Sequence, residues 1–333
     1  MTGPGPRNLL TDVPGVLVGN AEDPTANTGV TVVTGTRPLV AAVHVMGGAP
    51  GTRETDLLVP GRLVDTVDAI VLSGGSAFGL DAAGGVVAAL KARGRGLPVA
   101  GARVPIVPAA ILFDLPPGGP GWSTNPYPEL GRRAFETASE AFPLGSAGAG
   151  IGATTSDLRG GLGSASVVTA EGFTVAALAV VNSVGSAVLE GGPHFLAAPW
   201  EIGAEFGGLG PGHARESIAL PPVKTGASTA TTLCVVATDA ALDAAQAQRL
   251  AVTAHDGIAR AVAPAHTLAD GDAVFAIATG DRPLRDRLHD QIVLGHAAAT
   301  TVARAIARGV FLAAPGTNGR VPAWAERFGR HKG

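Results

Sequence analysis

The stretch GASTATTLCVVATDAAL, residues 226–242, sets the hydroxyls of Ser228, Thr229, Thr231 and Thr232 directly against the apolar run Leu233-Cys234-Val235-Val236-Ala237. An apolar run without alternation reads as a strand buried on both faces of a sheet. A second such run covers residues 273–278. Between them, Ala247, Leu250, Ala251, Ala254, Ile258 and Ala261 recur at helical spacing behind Asp243, a residue suited to cap a helix N-terminus. Strand, helix and strand in succession predict a mixed α/β protein with large sheets.

The same alternation extends outward. Residues 29–33, 41–46 and 69–72 read as strands, and 166–169 with 174–181 as a hairpin turning at Glu171-Gly172. Further helices are expected from Asp81 and from Asp290 to Arg308. Residues 199–229 are Gly-rich, contain Pro-Pro and show no period, and read as a long mobile loop ending just before Thr231. A loop of that length is uncommon unless it is functional.

Composition narrows the class. The 333 residues are 46% hydrophobic and 15% charged, which is a globular chain able to bury a large core. Aromatic residues make up only 4%, so that core must be built from Ala, Val, Leu and Ile. A net charge of −3 with no basic stripe argues against a nucleic-acid partner. The single Cys234 excludes a disulfide framework and a multi-Cys metal site. No apolar signal core or membrane-length run is present, so a cytoplasmic protein with no membrane partner is expected.

Most familiar chemistries fail on spacing. Asp270-Gly271-Asp272 lacks the spaced acidic series of a calcium loop, and the eight histidines form no metal-binding pair, so no metal or other cofactor is expected. SGGSAFGLDAAGG (73–85) follows a strand and opens a helix, but has neither a dinucleotide nor a P-loop spacing. It reads equally as a glycine turn for close packing or as backbone N–H groups lining a pocket for an anionic or carbonyl oxygen. His255-Asp256, in mid-helix, reads as a partly exposed face.

The threonines offer another route. A threonine at the start of a chain is a nucleophile whose own α-amine serves as general base. That amine has a pKa of about 7.7–8.0, so part of it is free at neutral pH. Such a residue inside a chain needs the peptide bond before it to break, at the mouth of a buried strand and below a loop. Thr231 stands in that setting, although composition alone favours a plain loop running into a strand.

Longer motifs add a resemblance. NLLTDVPGVLVGNAED (8–23), GGAPGTRETDLL (47–58), VLSGGSAFGLDAAGG (71–85), AAILFDL (109–115), GAGIGATTSDLRGGLGSAS (148–166), VVNSVG (180–185), TTLCVVATDAAL (231–242) and HTLADGDAVFAIATG (266–280) together resemble the DmpA-type aminopeptidases. That family includes β-peptidyl aminopeptidases and is similar to the nylon-oligomer (6-aminohexanoate oligomer) hydrolases. The resemblance implies one N-terminal-nucleophile-like αββα sandwich over residues 1–333, a precursor that cuts itself, and no cofactor. It implies cleavage between Ala230 and Thr231, giving an α chain of 1–230 and a β chain of 231–333 with Thr231 as nucleophile. Asn182 matches the oxyanion asparagine, Asp270 and Asp272 the pair that contacts the nucleophile's amine, and Gly75, Ser76 and Phe113 the substrate region. The implied substrates are short peptides with a free amine or related oligoamides, acted on by a homo-oligomer, a tetramer of α/β pairs.

Three residues depart from the family pattern. Ala230 stands where relatives carry Asn or Gly; it neither hydrogen-bonds locally nor bends freely. It fits either an introduced change that traps the uncut precursor or a natural variant that cuts slowly. Arg159 stands where relatives place a lysine and cannot give up its proton; otherwise it is a surface turn residue. Phe113 stands where nylon-oligomer hydrolases carry Tyr. An acyltransferase of the ornithine acetyltransferase type and an uncut, non-catalytic binding protein are the alternative readings.

Overall fold

In the computed structural model, residues 3–190, 192–213, 219–221, 223–224, 230–316 and 321–329 are described. The strands are β1 (Val16–Asp23), β2 (Thr28–Val45), β3 (Thr52–Arg53), β4 (Thr66–Ser73), β5 (Leu97–Val99), β6 (Ala102–Val104), β7 (Ala109–Ile111), β8 (Gly161–Val168), β9 (Thr174–Asn182), β10 (Thr231–Ala240) and β11 (Ala273–Arg282). The helices are α1 (Ala82–Ala92), α2 (Tyr127–Glu136), α3 (Ala244–Ala261), α4 (Arg287–Phe311) and α5 (Trp324–Phe328).

Every residue of β10 is buried, because it has a strand on each side and an apolar layer on each face. It runs antiparallel to β9 and parallel to β11, in the hydrogen-bonded order β3-β7-β4-β2-β11-β10-β9-β8. Alternate residues divide between the layers. Cys234 and Val236 meet α3 and α4 in one apolar cluster with Val175, Val274 and Ile306. Leu233, Val235 and Ala237 face the opposite way, into a cluster with Leu178, Phe275, Ile70 and Leu72. Beyond that second sheet, α1 and α2 cover Val30, Val32, Ala69 and Val71. The layers are therefore helix, sheet, sheet, helix: an αββα sandwich.

Strand β2 joins the two sheets. Its first half pairs with β1 and β4 and its last residues pair with β11, with a register shift between Thr34 and Leu39 where the chain is exposed. The expected separate strands 29–33 and 41–46 fall in this one element, apart from Met46, which lies just past its end; Gly35 and Pro38 at the bend hide its continuity. The expected hairpin forms, but β8 begins at Gly161, ahead of the expected 166. The missed part is GLGSA, whose two glycines hide the strand. Its glycines serve helix packing: a Cβ on Gly163 would lie 1.8 Å from the Ala305 carbonyl oxygen. Helix α4 thus lies directly on the strand backbone.

The N-cap of α3 is Asp243, whose side chain accepts from the Gln246 N–H at 2.8 Å, while Gln246 accepts from the Asp243 N–H at 2.9 Å. Helix α4 starts earlier than expected, capped by Asp286 through the Leu288 and His289 N–H groups. Helix α2 was not expected, although Tyr127, Leu130 and Ala134 bury one face of it; Pro126 and Pro128 mask its start.

The expectation of a mobile loop over 199–229 is corrected where the chain is described. Phe206 is buried in the core against Phe195. Glu205 is paired with Arg304 at 2.6 Å and accepts from Asn8 Nδ2 at 2.7 Å. A low apolar count concealed both anchors. The part of the expectation that covers 214–218, 222 and 225–229, including Ser228 and Thr229, lies outside the described residues. Burial alone would push the Glu205 carboxyl up, but Arg304 outweighs it and holds it below the ordinary range. Glu205→Ala is expected to cost about 3–5 kcal/mol in denaturant unfolding, because it strands a buried guanidinium. A depressed carboxyl stabilises above its unfolded value, so this contribution should fade as pH falls through the carboxylate range.

Candidate active site

Thr231 opens β10 and is nearly inaccessible. Its side chain has the same parity as Leu233 and Val235, so it faces the layer between the sheets. Directly opposite, in the antiparallel register, is Asn182, the last residue of β9. Residues so paired share a face, with Cβ atoms about 5 Å apart.

The Ala230–Thr231 peptide is enclosed. Thr231 Oγ1 donates to the Ala230 carbonyl oxygen at 2.5 Å, and that oxygen also accepts from the Gly271 N–H at 2.8 Å. The Ala230 N–H donates to the Ala269 carbonyl at 3.0 Å. A hydroxyl therefore lies on a carbonyl that is already polarised by a backbone donor. Gly271 carries no role of its own in the sequence reading. A Cβ there would lie 2.7 Å from Thr231 Oγ1, so a side chain would displace the hydroxyl.

The two aspartates hold different faces of this end of the sheet. Asp270 accepts from the Val184 N–H at 3.0 Å and from the Thr267 N–H and hydroxyl at 2.9 and 2.7 Å. Asp272 accepts from the Thr232 N–H at 2.7 Å and from the His266 N–H at 3.0 Å, and lies 2.8 Å from His266 Nδ1. Burial and the Asp272 charge push the Asp270 carboxyl up. Burial pulls His266 down, but Asp272 outweighs it and raises the imidazole. Behind His266, His255 and then His44 follow in edge-to-face ring contacts. His255 is buried, not partly exposed as the sequence suggested, and burial lowers it to about 4. Its helix face is covered by strand β2, a neighbour from the far side of the sequence.

Asn182 connects these groups to the second sheet. Its Nδ2 donates to the Phe113 carbonyl at 3.0 Å, and its Oδ1 accepts from the Thr154 N–H at 3.0 Å. An amide carries two such hydrogens, and Phe113 takes one. Phe113 thus contributes its backbone, and the neighbouring Asp114 reaches the glycine turn. Asp114 accepts from the Gly75 N–H and the Thr28 hydroxyl, both at 2.7 Å, and burial pushes its carboxyl up to about 6. Gly75 has φ 84° and a Cβ there would lie 2.1 Å from Tyr127; Ser76 also takes positive φ, at 53°, and donates its N–H to Leu112. The glycine turn is therefore a close-approach turn whose Gly75 N–H binds a carboxylate of the chain itself.

Two residues depart from the sequence reading. Arg159 is buried, not a surface turn residue, and its guanidinium donates to the Ile151 carbonyl. Lys224 was not singled out at all. Its ammonium donates to Asn182 Oδ1 at 2.9 Å and to the Asn182 carbonyl at 3.2 Å, and burial lowers it to about 7 despite the Asp270 charge. Nothing in its sequence setting, LPPVKTG, marks it out. Among the described residues no cluster of His, Cys, Asp or Glu is placed to hold a metal ion, and no helix is long and apolar enough to cross a membrane.

This end of β10, on an αββα frame, thus brings together a hydroxyl on an amide carbonyl, a backbone N–H on the same oxygen and buried carboxylates. The chain belongs to peptidase family S58, whose model matches residues 8–321. It is 41% identical to an uncharacterised aminopeptidase of Mycobacterium tuberculosis, over 96% of this chain and 98% of that one. It is 29% identical to a 6-aminohexanoate-oligomer endohydrolase of Kocuria sp., over 83% and 76% of the two chains. In structure it resembles the L-aminopeptidase D-Ala-esterase/amidase of Ochrobactrum anthropi, described as a variant among the Ntn hydrolase fold. That likeness has a TM-score of 0.69 at 21% identity and covers 98% of this chain and 96% of the other. The protein is an aminopeptidase-type amide hydrolase.

Proposed function

We propose that this chain is the precursor of a self-processing amide hydrolase, cut between Ala230 and Thr231, with Thr231 as the N-terminal nucleophile. The observation that carries the reading is the contact of Thr231 Oγ1 with the Ala230 carbonyl oxygen, which the Gly271 N–H also holds. After the cut, the freed α-amine takes the proton from Oγ as it attacks a substrate carbonyl. Oxyanion stabilisation falls to the Gly271 N–H and the remaining Asn182 N–H. Asp270 and Asp272, fixed by backbone N–H groups, set the charge around that amine. The resulting acyl-enzyme is hydrolysed by water. The substrates are short peptides with a free amine, or related oligoamides such as those named for the Kocuria relative.

Ala230 cannot hydrogen-bond the scissile peptide as Asn can, so it slows the first cut. Intact-mass measurement tests this. The native chain is expected to divide slowly, and Ala230→Asn faster, into fragments separated at Thr231. Cleavage elsewhere, or amide hydrolysis by a chain that stays whole, would overturn the assignment.

A further inference from the structure

In the uncut chain the α-amine of Thr231 is tied up in the Ala230–Thr231 amide. The base that serves the mature enzyme therefore does not exist when the first bond must break. Asp270 has both carboxylate oxygens engaged, by Val184 and by Thr267. Asp272 has one oxygen on the Thr232 N–H and the other on His266. It also lies with His266 and His255 on the helix side of the sheet, away from the Thr231 side chain.

Lys224 is placed differently. Its backbone N–H donates to the Val184 carbonyl at 3.0 Å, which lays this part of the chain along the end of β9. Among the described residues its amine meets two acceptors, both on Asn182, at 2.9 and 3.2 Å. A neutral amine has two N–H bonds and one lone pair; Asn182 takes both N–H bonds and leaves the lone pair. Asn182 is the residue paired across the ladder with Thr231, on the same face.

We propose that Lys224 accepts the Thr231 Oγ proton during self-cleavage, a base carried by the segment that leads into the bond being cut. This rests on the Thr231 reading above. In the step, the O–H proton of Thr231 passes to the Lys224 lone pair and Oγ bonds to the Ala230 carbonyl carbon. The carbonyl π pair moves to its oxygen, held by the Gly271 N–H. The oxyanion collapses, the C–N bond breaks, and the ammonium returns its proton to the departing Thr231 nitrogen. Water then hydrolyses the Ala230–Oγ ester to a carboxylate and a free Thr231 hydroxyl and α-amine.

The surroundings favour a free amine near neutral pH. Burial pulls the ammonium down to about 7 and only the Asp270 carboxylate, from the turn before β11, opposes it. Strand β9 presents neutral Asn182, and past β7 the chain presents the Phe113 carbonyl, with Asp114 turned to Gly75 and Thr28.

Self-cleavage in the Ala230→Asn chain, followed by intact mass from pH 5.5 to 9, tests the proposal. The rate is expected to rise through about pH 7 and level off. Lys224→Met should cut about 100-fold more slowly, within the usual range for losing a general base, and without that rise. Lys224→Arg should be equally slow, because a guanidinium keeps its charge but offers no lone pair. Wild-type rates in Lys224→Arg, or an unchanged pH rise in Lys224→Met, would overturn the proton role and leave at most a positioning one. If Thr231→Ala is still cut at the same bond, the Thr231 reading itself fails, which separates the two outcomes.

Discussion

Thr231→Ala is expected to leave one uncut chain of 32.9 kDa and to abolish amide hydrolysis, a loss of about 10⁴–10⁶-fold. In the proposed mechanism the substitution removes the atom that forms both the ester of self-cleavage and the later acyl-enzyme. What remains is a carbonyl hydrogen-bonded to Gly271 with nothing to attack it. The fold should survive, since only one hydroxyl with its hydrogen bond and one buried methyl are lost, at a cost of about 1–2 kcal/mol. Thr231→Ser keeps the oxygen but loses the branch that restricts the side-chain rotamer, so it should cut and turn over more slowly. Intact mass and release of free amine from a dipeptide amide read both effects. Processing or turnover by Thr231→Ala at the parent rate would remove Thr231 from the mechanism.

The second large effect is expected at Gly271. An added Cβ would lie 2.7 Å from Thr231 Oγ1 and 2.8 Å from the Ala49 carbonyl oxygen. The Ala49 backbone cannot retreat easily, because its N–H is bound to the Asp270 carbonyl at 2.8 Å. The hydroxyl must therefore swing away from Ala230, or the Gly271 N–H must lose its aim. Gly271→Ala should slow self-cleavage by about 10²–10³-fold, the scale of losing one oxyanion donor. Overpacking should also cost about 1–3 kcal/mol. Adding Thr231→Ala removes the atom that is struck, so the melting-temperature loss caused by Gly271→Ala should shrink in the double variant. Equal losses in both backgrounds would place the strain elsewhere, and parent-rate cutting by Gly271→Ala would remove the donor role.

The legible parts of this protein are those where local pattern and burial coincide. The apolar runs after Thr231 and from Ala273 are two-sided strands, and Asp243 caps α3, because neither feature depends on distant partners. The illegible parts are those where a distant neighbour sets the residue type. Gly161 and Gly163 look like a loop but are strand residues thinned so that α4 can approach. Gly35 and Pro38 look like a break but mark the bend by which β2 passes between sheets. His255 looks half-exposed on its helix and is covered by β2.

At the site the division is similar. The hydroxyl at the mouth of a buried strand could be read from 226–242, and the family resemblance added Asn182, Asp270 and Asp272 as candidates. Gly271 and Lys224 could not be found that way. A backbone N–H has no sequence signature, and a lysine becomes unusual only when something buries it.

From the sequence alone, Thr231 stands at the entrance of a strand buried on both faces, because a run of apolar residues has only one stable environment. Only the tertiary structure decided that its side chain points between the sheets, opposite Asn182, with the Gly271 N–H on the Ala230 carbonyl and the Lys224 amine on Asn182. Those relations come from ladder register and chain crossings between segments far apart in sequence, and a local pattern carries no information about which distant strand will pair with it.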